Sequence, residues 1–323
     1  MNTQQHLAFD NANPHVDLSD VPSLATSGLL VTITTRKWNP NKLDKAASEE
    51  AARANGVTDP KLARVHKTLL KSDALTRIGS LNTRIHETNR QLTLEWLGNL
   101  RFAPTAVFPK WMAEVTRMQQ EWDTLVDTFI IDDYLPARAA IISELGRLYD
   151  GGDYPEAEVL RRKFSFSYDT MPIPDSGDLR VDIAGEIKAS VAEKYNRMYK
   201  DKIEGATRDM FWRVYEALAG TRDNPDKPDS KGLIELLEGT TKPDGSFTKG
   251  RLSASRIEGM RTLIDLMGDL NIANDPLLDE TRRDLMLVFD GIRTTDDLKD
   301  QADREAIKAK LQTVMDKLPS TGW

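Results

Sequence analysis

The sequence predicts a mainly α fold of the α+β class: a long antiparallel helical hairpin, a small antiparallel sheet of about three strands and a C-terminal helical module. Three observations lead there. Trp111, Val115, Met118, Trp122, Leu125 and Phe129 are spaced 4-3-4-3-4, an unbroken a/d seam on one helix. Residues 28–36, GLLVTITTR, form a β-branched run closed by a Trp-Asn-Pro turn signal, which reads as a strand. Phe164, Phe166 and Tyr168 alternate before a Pro-rich turn, and Leu179 to Ile183 return from it, giving two further strands.

The 323 residues suffice for two domains and a substantial core. The first 27 are polar, without a basic start or a continuous apolar segment, and read as a mobile arm and not a signal peptide. After the first strand, Lys42 to Asn55 is rich in Ala and Glu and reads as a helix stopped by Gly56. Asp59 as N-cap and Pro60 at the first helical position then open a longer helix. Apolar residues at 62, 65, 69, 75, 78, 81, 85, 92 and 97 carry it to about Gly98. The short connection from Phe102 to Pro109 into the seam helix implies the hairpin.

Pro136 to Tyr149 is a further helix, and a long amphipathic one runs from Glu186 to Ala219. Arg222 to Lys231 is all polar with two prolines and reads as a linker between a main domain, 28–221, and a module, 232–323. Helices over Arg256–Leu270, Asp279–Gly291 and Asp303–Leu318 build that module.

The chain contains no cysteine, which excludes disulfides, thiolate metal sites and cysteine nucleophiles. No apolar run approaches the roughly 20 residues needed to span a bilayer, so a cytoplasmic protein is expected. Phosphate-loop, dinucleotide and zinc-protease motifs are absent. Of the histidines, His6 and His15 lie in the arm, and His66 and His86 are 20 residues apart. Asp127, Asp132 and Asp133 read as helix-end acids more readily than as a cation site. Neither an enzyme nor a cofactor is expected.

Charge is unevenly spread over a chain of net charge −7. Nine Lys/Arg face four acids between Arg36 and Lys71, whereas 15 basic residues face 20 acids from Asp223 onward. Lys61, Arg64, Lys67 and Lys71 recur at spacings of 3, 3 and 4 and so form one stripe on the Pro60 helix. With Arg36, Lys37, Lys42 and Lys45 they would line a groove for phosphates. Trp38 among them would stack an unpaired base, a contact worth about 1–3 kcal/mol. Arg161, Arg162 and Lys163, leading into Phe164, Phe166 and Tyr168, form a second basic-aromatic segment. The bland alternatives are a solvated lysine face and rings turned into the core. Trp323, the terminal residue after an acidic module, is a candidate partner contact.

Trp38, Tyr154-Pro155, Phe164-Ser165-Phe166, Pro172-Ile173-Pro174 and Gly177 to Asp182 together resemble a group of tailed-phage proteins over residues 28–220. The group is similar to Drc-like single-stranded-DNA-binding cofactors of the RNA polymerase of lytic podoviruses. The resemblance implies a transcription cofactor that binds single-stranded DNA and recruits the phage polymerase to open promoter DNA. The competing expectation is a structural adaptor whose heptad seam forms a coiled coil with itself or a phage partner.

Overall fold

The computed structural model describes residues 24–173, 185–221, 230–238, 240–241, 247–248, 250–298 and 300–319. The return strand over 179–183, most of the arm and linker, and Trp323 therefore lie outside the described residues. The chain divides into two compact units, one formed by residues 1–30, 93–108 and 171–323, the other by 31–92 and 109–170. The fold is mainly helical, with an antiparallel sheet of four strands where three were expected.

The second unit carries the seam. After α1 (Leu24–Ser27), β1 (Gly28–Arg36) supplies its first three residues to one unit and the rest to the other. Then follow β2 (Asn41–Asp44), α2 (Lys45–Ala54), β3 (Val65–Thr68) and α3 (Asp73–Leu92). In α4 (Phe108–Thr128) and the π-helical turn Phe129–Asp133, all six seam residues are buried, none above 5 % exposed. The seam is thus internal, and an intermolecular coiled coil through it is ruled out. Its rings meet Phe164 and the strand β6 (Ser165–Pro172): Trp122 packs against Phe166, Trp111 against Tyr168 and Phe129 against Phe164, at centroid distances of 6.0, 5.9 and 5.7 Å. Burying one such side chain stabilises by about 1.5–3 kcal/mol. The Trp111 indole donates to Asn89 Oδ1 on α3 at 2.8 Å, satisfying its buried N–H. Between the π-helical turn and β6 lie α5 (Tyr134–Leu145) and α6 (Ala157–Arg161).

One helix was expected from Pro60 to Gly98. The segment is instead a 3₁₀ turn at Pro60–Leu62, the strand β3, the helix α3 and then β4 (Leu94–Leu97). Asp59 does cap the 3₁₀ turn, donated to by the Lys61 amide at 2.9 Å. The chain then leaves helical geometry because β3 finds an extended partner in β2, with Asn41 opposite Thr68 and Asp44 opposite Val65.

In the first unit, β4 and β5 (Leu100–Pro104) form an antiparallel hairpin across Gly98-Asn99, where Gly98 has φ +55°. A glycine with positive φ at the first turn position suits a type II′ hairpin. The sheet order is β4-β5-β1-β6. Gly28 opens β1 against β5 so closely that a Cβ there would stand 2.4 Å from the Ala103 carbonyl oxygen. α7 (Gly185–Ala219) lays Tyr199 against Trp96 of β4 at 5.7 Å. Beyond it come α8 (Leu233–Glu238), the two-residue strands β7 (Thr240–Thr241) and β8 (Phe247–Thr248), then α9 (Ala254–Leu270), α10 (Pro276–Phe289) and α11 (Gln301–Lys317). Asp275 and Asp300 cap the last two helices. The buried Arg304 donates to the carbonyls of Leu236, Leu237 and Gly250 and ties α11 to α8.

Candidate nucleic-acid interface

The basic segment folds around the β2–β3 ribbon of the second unit. Side chains alternate across a strand, so the ribbon has two faces. Lys42, Asp44, Val65 and Lys67 share the inner one, and Asn41, Leu43, His66 and Thr68 the outer.

The inner face is an ionic anchor. Lys67 is buried at 8 % exposure. Its ammonium lies 2.8 Å from Asp153 Oδ2 and 3.2 Å from Asp44 Oδ2, and donates to the Leu148 carbonyl at 2.7 Å. Lys42 pairs with the other oxygen of Asp153, whose side chain is 1 % exposed. The bond to Asp153 raises the Lys67 ammonium above its ordinary pKa, against the opposing effect of its burial, and Asp44 adds to the rise. Burial pushes the Asp153 carboxyl up, but the Lys42 and Lys67 ammoniums outweigh it and hold it below the usual carboxylate range. Asp44 is held low first by the Ala47 amide that it caps and then by Lys67. Tyr154 completes the anchor by donating to the Leu69 carbonyl at 2.7 Å.

This overturns two expectations. Lys67 is committed to Asp153 and Asp44 and is not a phosphate ligand. Lys61, Arg64, Lys67 and Lys71 do not form a helical stripe, because Lys61 lies on the 3₁₀ turn, Lys67 on β3, and Arg64 and Lys71 in the connections beside β3. Lys71 pairs with Glu144 at 2.7 Å on the surface. Trp38 is also not a stacking platform. At 8 % exposure, its ring stacks on Phe129 and meets Tyr134 edge-on, both at 6.2 Å. The second basic-aromatic segment divides similarly. Phe164 and Phe166 turn into the core, Arg161 pairs with Asp127, and Arg162 and Lys163 are exposed on the turn into β6, away from the ribbon in sequence.

The outer face is different. Asn41, Leu43, His66 and Thr68 are all exposed, and Thr68 Oγ1 donates to Asn41 Oδ1 at 3.0 Å. Lys45 and Arg64 each lie one residue beyond the Asp44–Val65 pair, with Lys61 three residues before Arg64 on the 3₁₀ turn. At the opposite end Leu69 bonds to the Pro40 carbonyl at 2.7 Å, and a shallow depression there is lined by Lys37, Asn39, Asn41, Lys71, Ser72 and Thr76. Lys37 reaches over Gly79 of α3. Arg36, Lys37, Lys45, Lys61 and Arg64 are exposed and, among the described residues, have no carboxylate partner.

A four-residue ribbon is about 13 Å long at ~3.3 Å per residue. Cations without a carboxylate partner among the described residues therefore stand at both ends of a face of that length, at whose centre the His66 ring lies opposite the exposed Leu43. Sequence reasoning missed His66, Asn41 and Thr68, because nothing local distinguishes β3 from a helix turn. Among the described residues no group of three or more His or acidic side chains is placed to hold a metal ion, and no helix is long and apolar enough to cross a membrane. Comparison with family models, with curated proteins and with solved structures finds no match for this chain.

Proposed function

We propose that this protein binds single-stranded DNA along the outer face of the β2–β3 ribbon. The observation that carries the reading is the bracketing of that face by Lys37 at one end and by Lys45, Lys61 and Arg64 at the other, with Arg36 next to Lys37 in the chain. Among the described residues these cations have no carboxylate partner, in a chain of net charge −7. Residues 31–92 carry twelve Lys/Arg against six acids, so the local field favours a polyanion despite the overall charge. The cations would take phosphates. Asn41 and Thr68 supply hydrogen-bond groups for base edges or sugar, and His66 supplies the stacking ring that Trp38 does not. The resemblance to Drc-like proteins adds the wider role, a cofactor bringing a phage RNA polymerase to open promoter DNA.

Binding driven by phosphates depends on salt. Five contacts to a single strand give a slope of log K against log salt near −3.5, at about −0.7 per phosphate. Lys37→Glu with Arg64→Glu should weaken binding of every oligonucleotide sequence and flatten that slope by roughly two contacts' worth. His66→Ala should weaken binding while leaving the slope intact. Unaltered affinity in the double charge reversal rejects the ribbon as the interface.

A further inference from the structure

α5 is apolar on two sides. Tyr134 and Ile141 turn inward and are buried, while Leu135, Ala139, Ala140 and Ile142 are exposed on the other side. The π-helical turn that precedes it exposes Ile131 as well, and the exposures of Ile131, Leu135 and Ile142 are 70, 64 and 45 %. An exposed apolar stripe of this kind on a surface helix is ordinarily covered by a partner. We propose that this stripe is a self-association face, and that its occupant is α5 of a second copy of the chain.

Charge at the two ends of the stripe selects that occupant. Asp132, at the N-terminal end, is exposed and has no ion-pair partner among the described residues. Arg147, just past the C-terminal end, is 84 % exposed and, among the described residues, pairs only with Glu50, itself 68 % exposed. A two-fold contact is self-complementary, so each residue meets its counterpart in reversed order. With two α5 helices antiparallel and Ala139 at the axis, Leu135 meets Ile142 of the second copy. Asp132 then comes beside Arg147 of the second copy, twice over. The small side chain at Ala139 permits close approach at the crossing. A parallel pairing would instead set Asp132 against Asp132, which is repulsive.

The stripe from 131 to 142 is about 18 Å long at ~1.5 Å per residue. One helix pair of that length buries less than the roughly 1,200 Å² of a standard stable interface. The dimer is therefore weak, with a dissociation constant on the order of 10–100 µM. The inference does not depend on the nucleic-acid reading.

The full chain should show a concentration-dependent rise in sedimentation coefficient between about 5 and 200 µM. Leu135→Lys should abolish the rise with the circular dichroism spectrum intact. Asp132→Arg and Arg147→Asp should each weaken dimerisation about tenfold, and the two together should restore it. Because the chain contains no cysteine, Ala139→Cys introduces the sole thiol. Mild oxidation should give a disulfide-linked dimer from it, and none from Asn55→Cys at the end of α2. A chain that stays monomeric throughout, or a dimer indifferent to Leu135→Lys, overturns the proposal. So does a double charge swap that fails to recover what each single change loses.

Discussion

Lys67→Met removes the cation at the centre of the anchor and keeps a side chain of similar length. Asp153, with its side chain 1 % exposed, is then left with Lys42 alone, whose own side chain is 54 % exposed. Breaking a buried pair by removing one partner costs ~3–5 kcal/mol. Because Lys42 stays in place, the lower end, about 3 kcal/mol, is expected. Lys71→Met is the control, since that lysine and Glu144 are 71 and 54 % exposed. An exposed pair is worth at most ~1 kcal/mol. In urea denaturation followed by circular dichroism, a loss of 3 kcal/mol moves the midpoint down by roughly 1–3 M for slopes of ~1–3 kcal/mol per M. Adding Asp153→Leu to Lys67→Met should recover part of the loss, because no unpaired carboxylate remains. If Lys67→Met and Lys71→Met cost the same, the ionic anchor is wrong.

Two further outcomes follow from the core and its charges. Trp122→Asp should unfold the second unit instead of releasing a folded monomer, because its ring is 1 % exposed and packed on Phe166; a folded product would refute the internal seam. The depressed carboxyls of Asp44 and Asp153 contribute stability above the unfolded value of ~3.9 that is lost as pH falls through their lower folded values. The raised Lys67 ammonium contributes below ~10.4 and is lost as pH rises through its higher folded value. Urea midpoints should accordingly be flat between about pH 5 and 9 and fall on both sides, and Asp153→Asn should reduce the acid limb.

How much of this was legible in the sequence depended on the range of the contacts. The seam was legible because Trp111 to Phe129 repeat at heptad spacing. So was the alternation of Phe164, Phe166 and Tyr168, which puts the three rings on one side against the seam, the first two buried and Tyr168 half-buried. The last two helices were legible as elements but not at their starts: Asp279 and Asp303 were expected to open them, whereas the capping residues are Asp275 and Asp300. The ribbon was not legible. Lys61, Arg64, Lys67 and Lys71 are spaced as on a helix, but β3 is set by pairing with β2, about 25 residues earlier, and by Asp153, 86 residues later. Trp38 stands among cations in sequence, yet its ring partners, Phe129 and Tyr134, are more than 90 residues away. Gly98-Asn99 was a readable hairpin signal, hidden by the apolar drift that runs through Leu92 and Leu97.

Along one ribbon this acidic protein keeps exposed cations that, among the described residues, no carboxylate neutralises, and phosphate binding there is the expected consequence. Fluorescence anisotropy of a labelled single-stranded oligonucleotide across a salt series tests it most directly, with a duplex of the same sequence alongside. The expected result is tighter binding of the single strand, with a log–log slope near −3.5 at about −0.7 per phosphate, flattened by Lys37→Glu with Arg64→Glu. Binding that is absent at low salt, or a slope that the double charge reversal leaves unchanged, contradicts the account.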